Sequence, residues 1–218
     1  MMIKKETLAF LKTLRKNNHK GWFEENRDWY ELAKTNFEEW VQALIVAISD
    51  FDPAIKPLRA KECTFRIFRD TRFAKDKSPY KTNFGAHLTP GGKKSPLAGY
   101  YFHLAPGDSF LGGGSYCPDP QNLEKIRERV ADHYQELKKI ISVSSFNRTF
   151  GKIWGEKLKT APKGYPKDHP ALDLLQYKSF VTMHSLTDSD VLASSLLTKT
   201  VKVFQTMQPF NAFLNKAF

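Results

Sequence analysis

The segment from residue 66 to residue 81 carries the side chains of this sequence that are best suited to binding chemistry. It contains six basic residues and only two acidic ones, Asp70 and Asp76. Arginine presents a planar set of donors that fits a phosphate or a carboxylate, and lysine adds a mobile positive charge. Crowded cations repel one another unless a partner anion neutralises them. The segment therefore predicts a site for an anionic ligand, whose binding residues are Arg66, Arg69, Arg72, Lys75, Lys77 and Lys81.

The same segment allows other interpretations. An enzyme would use these cations to hold an anionic substrate while a nearby side chain transfers a proton. The candidate catalytic residues are Asp70, Asp76, Tyr80 and His103. A module that binds nucleic acid or another protein would need no small ligand. Alternatively, the arginines pair with carboxylates and only hold the loop in place, because ion-pair networks and functional sites look alike in sequence.

Three histidines and a glycine run are further candidates for a site. His87, His103 and His184 fall in predicted strands, and imidazoles from neighbouring strands are one way to build a zinc site. No two of them have ligand spacing within one element, so neither a metal nor another cofactor is predicted. The glycine run at 112–115 could present backbone amides to a phosphate. It lacks the lysine and the spacing of a nucleotide-binding loop, so a glycine-rich strand end that admits a neighbouring backbone is the preferred interpretation.

The periodicity of the apolar residues predicts an α+β protein with a single domain over residues 1–218. Helices are predicted at 7–15, 22–49, 120–141, 170–177 and 187–207, with Pro209 ending the last one. Strands are predicted at 63–69, 83–89, 98–105 and 109–112, with a possible fifth at 178–186. Short links favour one antiparallel sheet of about five strands, covered on one face by the long N-terminal helix and the later helices. The loop at 66–81 is expected at its edge.

Composition bounds the partners and the compartment. The chain has 34 basic and 23 acidic residues and a formal net charge of +11. A positive field raises the rate of encounter with polyanions, so nucleic acid is a possible partner. Net charge alone indicates a tendency to associate and does not identify a function. Cys63 and Cys117 stand far apart, which argues against a disulfide framework or a zinc finger. No secretory signal and no unbroken apolar stretch of about 18 residues is visible, so a basic, cytoplasmic protein without a membrane partner is expected.

Residues 69–88, which read RDTRFAKDKSPYKTNFGAHL, closely resemble the signature of domain of unknown function 2461, a mainly bacterial family. Further matching stretches lie at 17–27, 98–103, 112–118 and 159–170, so the resemblance spans nearly the whole chain. It implies one α+β domain, but neither an activity nor a cofactor. Ala74 stands where serine is expected, and Ala105 where glutamate often follows the histidine. If that acidic residue is catalytic in relatives, this chain lacks it.

Overall fold

The four strands of the chain form one antiparallel sheet. The computed structural model describes residues 1–218 and places the strands side by side in the order β1 (Phe84–Leu88), β2 (Gly99–Leu104), β3 (Ser109–Ser115) and β4 (Phe180–Leu186). The α+β class is confirmed, with four strands instead of about five. Residues 63–69 form no strand, because Phe68 pairs with Tyr80 and the Arg69 N–H donates to the Pro79 carbonyl. Only residues 64–65 bond to β1, and from Ile67 onward the segment folds back on its own loop.

Helices precede the sheet, separate β3 from β4 and end the chain. The N-terminal helices are α1 (Lys5–Lys16), α2 (Lys20–Glu25), α3 (Arg27–Ser49) and α4 (Ala60–Cys63), with a 3-10 turn at Pro53–Ile55. The later helices are α5 (Pro120–Asp132), α6 (Tyr134–Ser142), α7 (Ser144–Phe150), α8 (Leu172–Leu175), α9 (Asp188–Leu192) and α10 (Leu196–Asn215). No helix has both the length and the apolar composition needed to cross a membrane.

Three of the predicted helices are each divided in two. The predicted helix at 22–49 breaks at Asn26, whose side-chain amide donates to the Trp22 carbonyl at 2.9 Å. The helix predicted from residue 120 breaks at His133, and the one predicted from residue 187 breaks at Ala193, whose backbone is extended. The apolar stripes continue across these breaks, so periodicity alone does not reveal them.

Two prolines have opposite relations to their helices. Pro120 occupies the first turn of α5 as predicted, and Asp119 caps the helix by accepting a hydrogen bond from the Asn122 N–H at 2.9 Å. Pro209, by contrast, lies inside α10, which continues to Asn215. A proline inside a helix removes one hydrogen bond, but the following residue, Phe210, is fully buried in the core. This packing keeps the helix intact past the proline.

The alternation of side chains along the strands gives the sheet two different faces. One face packs against α3 and α10 and carries buried side chains, among them Phe84, Ala86, Tyr100, Phe102, Leu111 and Phe180. Trp40 of α3 is fully buried, and its ring centre lies 5.6 Å from that of Phe102. A Cβ atom on Gly113 would lie 2.1 Å from the sulfur of Met207, so glycine is what allows α10 to contact β3 this closely.

Two short segments extend the sheet beyond its outer strands. On the β1 side, residues 64–65 bond to the backbone of Gly85 and Ala86. On the β4 side, residues 154–157 lie along β4 and the chain that leads into it, with Trp154 paired with Val181 and Lys157 paired with Tyr177. We call 64–65 and 154–157 the flanking segments. They place residues distant in sequence along both edges of the second face.

Candidate functional site

The second face of the sheet forms the floor of a groove with a volume of about 1850 Å³. Two rows of side chains cross this floor from strand to strand. The first row is His87, Tyr101, Gly112 and Met183, and the second begins with Gly85, His103 and Phe110. The aromatic and imidazole side chains in these rows are half-buried. Polar and aromatic groups thus take the places that apolar core residues occupy on the first face.

Tyr101 and His103 make the closest polar contact on the floor. The Tyr101 hydroxyl oxygen lies 3.1 Å from His103 Nδ1, a hydrogen bond in which either atom can be the donor, depending on the tautomer of the imidazole. Gly85 makes room for this contact, because a Cβ atom there would lie 2.5 Å from the hydroxyl oxygen. The His103 ring also stacks on Phe110, with ring centres 4.6 Å apart. The floor therefore holds this pair in a fixed arrangement.

Burial changes the acidity of the polar groups on the floor. It raises the pKa of Tyr101 to about 12 and lowers the pKa values of His87 and His103, with Asp108 opposing the shift at His103. At neutral pH the phenol is therefore protonated and both imidazoles are uncharged. A neutral imidazole beside a phenol is able to exchange a proton with a bound molecule.

Cations line the β1 side of the groove. We call Arg66, Lys81 and Lys93 the β1 rim, and Lys94, next to Lys93 in the loop after β1, also lines the groove. The Nζ atoms of Lys81 and Lys93 lie 5.6 and 5.7 Å from the centre of the Phe65 ring. Lys93 also donates to the Thr64 carbonyl at 2.6 Å. None of the three forms an ion pair with a carboxylate. Burial lowers the pKa of Lys81, and the charges of Arg66 and Lys93 lower it further.

Other cations of the 66–81 loop have partners within the loop. Arg69 donates to the Asp76 carboxylate at 2.5 Å. Arg72 donates to both oxygens of the Asp70 carboxylate, at 3.0 and 2.7 Å. Lys77 donates to two backbone carbonyls of the same loop. These contacts hold the tip of the loop in the way that the ion-pair interpretation predicts.

The six predicted binding residues thus divide into three groups. Arg66 and Lys81 line the groove, while Lys75 is exposed and takes part in no hydrogen bond or ion pair. The other three, Arg69, Arg72 and Lys77, have partners in the loop. The loop joins the groove only at its two ends.

Of the four candidate catalytic residues, only His103 lies in the groove. Asp70 and Asp76 are exposed and accept hydrogen bonds from the arginines of the loop. Hydrogen bonds from Ser78 and then from Arg69 lower the pKa of Asp76 to about 2, which makes it a weak proton acceptor at neutral pH.

Tyr80 is buried outside the groove. Its ring stacks on Phe23 with centres 4.0 Å apart. Together with Arg69 and Asp76 it lines a second, smaller cavity of about 390 Å³. The packing of its ring indicates a role in the core.

The three histidines of the predicted strands do not share one face. His87 and His103 lie on the groove floor, whereas His184 lies on the opposite face with its Nδ1 3.0 Å from the Thr149 carbonyl. No group of three His, Cys, Asp or Glu side chains comes together in an arrangement that could hold a metal ion.

The glycine run lies inside β3, which extends to Ser115 beyond the predicted end at 112, and it admits a neighbouring backbone as the preferred interpretation predicts. Gly114 has a φ of 106°, and a Cβ atom there would lie 2.0 Å from the Phe180 carbonyl oxygen. Only glycine adopts this backbone conformation freely and leaves room for β4 at this point. The run therefore allows close strand pairing at the groove floor.

Sequence reasoning missed the opposite side of the groove. Three lysines line it, and we call Lys152, Lys157 and Lys178 the β4 rim. Trp154 lies among them, and Lys157 Nζ lies 4.3 Å from the centre of the Tyr177 ring. Periodicity gives no signal for this side, because the segment is irregular and pairs with β4 only through the isolated bridge between Trp154 and Val181. Tyr101, in contrast, could have been found, since it stands two residues before His103 in a predicted strand.

A comparison with protein-family models gives a match over residues 6–213 of the chain. The matching family is described as conserved hypothetical protein (DUF2461). No curated protein and no solved structure matches the chain.

Proposed function

We propose that this chain, which belongs to the DUF2461 family of conserved hypothetical proteins, binds an anionic ligand in the groove at the β1 rim. The observation that carries the proposal is that Lys81 and Lys93 converge on the Phe65 ring, with Arg66 lining the same side of the groove, and that none of the three has a carboxylate partner. The tip of the same loop shows the contrast, because its arginines have aspartate partners at 2.5 and 2.7 Å.

Electrostatics explains why an anion would bind here. Like charges at close range repel, and the pKa of Lys81 is lowered by its burial and then by the charges of Arg66 and Lys93. A phosphate or carboxylate would remove the repulsion and accept charge-assisted hydrogen bonds from the guanidinium and ammonium groups. The net charge of +11 would raise the rate of its arrival.

The side chains beside the rim indicate what else the ligand contains. Phe65 is 40 % exposed and lies under both lysines, and its ring centre is 6.4 Å from that of Tyr101. A planar group attached to the anion would find aromatic surface at this place. The proposed ligand therefore carries a phosphate or a carboxylate next to a ring.

Pyrophosphate is a suitable probe for the anion site. We expect isothermal titration at constant ionic strength to show saturable binding to the wild type. Lys81→Met should weaken this binding at least about tenfold, because charge-assisted hydrogen bonds contribute about 1.5–3 kcal/mol each. Lys75→Met is the matched control, since it removes a positive charge of the same loop outside the groove. Its affinity should equal that of the wild type. Equal weakening by both variants would show a general effect of net charge and contradict the proposal.

A second candidate function, an enzyme that acts on the bound anion, is favoured by the contact between Tyr101 and His103. His103 would serve as the proton acceptor and Tyr101 would position it. Screening of phosphate monoesters and diesters with the wild type and with His103→Gln tests this function. Turnover that His103→Gln abolishes, without loss of pyrophosphate binding, would support an enzyme. Turnover unchanged in this variant would contradict the role of His103.

A further inference from the structure

The groove is large for a small metabolite. Its volume of about 1850 Å³ exceeds the roughly 300–1,000 Å³ of typical small-ligand pockets. The floor crosses all four strands, and the groove extends to the flanking segments beyond them. An occupant that fills it is an extended molecule.

Positive charge lies on both sides of this groove. Each rim contributes three cations, Lys94 adds a seventh, and the only carboxylates along the lining are those of Asp119 and Glu156. Glu156 is already paired with Lys178 at 3.0 Å. An occupant that satisfies both rims therefore carries negative charges at both ends.

The width of the sheet sets the distance between these charges. Four strands and a flanking segment on each side make five inter-strand spacings of about 4.8 Å, so the rims lie roughly 24 Å apart. A stacked nucleic-acid strand has one phosphate per about 3.4 Å, so about seven nucleotides cover this distance, and fewer when the strand is extended. A chain of phosphates thus matches the spacing of the rims.

Aromatic rings accompany the cations along this path. Phe65 lies at the β1 rim, Tyr101 and Phe110 lie on the floor, and Trp154, 54 % exposed, lies at the β4 rim. Base stacking on aromatic side chains beside cations is how proteins bind single strands with little sequence preference. A duplex would hide the faces of its bases from these rings.

We propose that the groove binds a single-stranded nucleic acid that crosses the sheet from the β1 rim to the β4 rim. The proposal rests on the anion site of the β1 rim, which would hold one phosphate group of the strand. The β4 rim and Trp154 would hold the next part of the same strand.

Fluorescence anisotropy with a labelled twelve-nucleotide single strand tests the proposal, in RNA and DNA versions and from 50 to 200 mM NaCl. Trp154→Ala should weaken binding about fivefold or more, because a stacked base is lost. Phe73→Ala is the matched control, since Phe73 is 96 % exposed and lies outside the groove. It should bind like the wild type. Equal weakening by both variants would overturn the proposal.

Charge removal at the β4 rim provides a second measurement. Lys152→Met with Lys157→Met should reduce the slope of log affinity against log salt by about 1.4, because each phosphate contact on a single strand contributes about 0.7. Lys5→Met with Lys12→Met removes the same charge from α1, outside the groove, and should leave the slope unchanged. Equal slopes for both double variants would contradict a contact at the β4 rim.

Competitors separate this inference from the proposed anion site. A duplex of the same length and a base-free polyphosphate should both compete less well than the unlabelled single strand. If either competes as well or better, the single-strand proposal is wrong. Pyrophosphate binding without oligonucleotide binding would leave the anion site standing and overturn the single-strand proposal. Binding of neither probe would overturn both.

Discussion

The two faces of the sheet come from the same four strands and differ in almost every property. On the face that packs against α3 and α10, side chains such as Phe102 and Leu111 are fully buried. On the groove face, the neighbouring residues of the same strands, Tyr101 and Phe110, are only half-buried. Because successive side chains alternate between faces, each pair of consecutive residues in a strand supplies one core residue and one groove residue.

The difference shows how this fold separates stability from binding. The core face gains its free energy from apolar area that many neighbours cover. The groove face keeps imidazoles and a phenol partly dehydrated, which costs free energy but leaves them within reach of a ligand. Substitutions on the two faces should therefore have different consequences, stability on one and binding on the other.

The largest effect is expected on the core face. Trp40→Ala should lower the free energy of unfolding by about 3–5 kcal/mol, because it removes a fully buried indole that packs on Phe102. Trp154→Ala, at the β4 rim, should change it by less than about 0.5 kcal/mol. Urea denaturation followed by circular dichroism measures both. Similar losses would mean that the groove side contributes as much to stability as the core, and the comparison would fail.

A smaller effect is expected where the groove floor is tightly packed. Gly85→Ala places a Cβ atom 2.5 Å from the Tyr101 hydroxyl oxygen, and we expect a loss of about 1–3 kcal/mol in the free energy of unfolding. Tyr101→Phe removes that oxygen, so Gly85→Ala should cost less in the Tyr101→Phe background. A double-mutant cycle measures the difference. Strict additivity would show that Tyr101 moves away without cost.

The pH dependence of stability should reveal the buried imidazole of His87. Burial holds its folded pKa below the ordinary 6.5, so the unfolded state binds more protons. The free energy of unfolding is therefore highest above pH 6.5, where the imidazole is uncharged in both states. It decreases as the pH falls from 6.5 through the pKa that His87 has in the folded protein. Urea titrations at pH 7.5 and pH 5 should therefore show a larger loss for the wild type than for His87→Gln. Parallel losses would mean that His87 is hydrated in both states.

The smallest effect is expected at the tip of the 66–81 loop. Arg72→Ala breaks an exposed pair with Asp70, and exposed pairs contribute little because solvent screens them. We expect no resolvable change in the unfolding midpoint and unchanged pyrophosphate binding. A loss of pyrophosphate binding in this variant would show that the loop tip also binds the anion, and that binding is not confined to the β1 rim.

Sequence reasoning found the elements better than it found the site. Alternation and helical spacing predict most strands and the long helices, because these patterns repeat over many residues. The sequence could not predict which cations of the 66–81 loop line the groove and which pair within the loop, since Arg66 and Arg69 stand three residues apart in a similar setting. Only the folded loop shows that Arg69 meets Asp76 while Arg66 lies in the groove. The contribution of Lys93 and of the β4 rim depends on contacts between distant segments, which no local pattern records.

The flanking segments have a consequence for how copies of this protein behave towards each other. Outer strands of open sheets expose unpaired backbone groups that template aggregation. Here the Phe65 N–H donates to the Gly85 carbonyl at 3.0 Å, and the Trp154 N–H donates to the Val181 carbonyl at 2.6 Å. Part of each outer strand is therefore already paired with an irregular segment, at Gly85 and Ala86 in β1 and at Val181 near the start of β4. These irregular segments leave less of each edge free for the edge-to-edge pairing of copies that leads to fibrils.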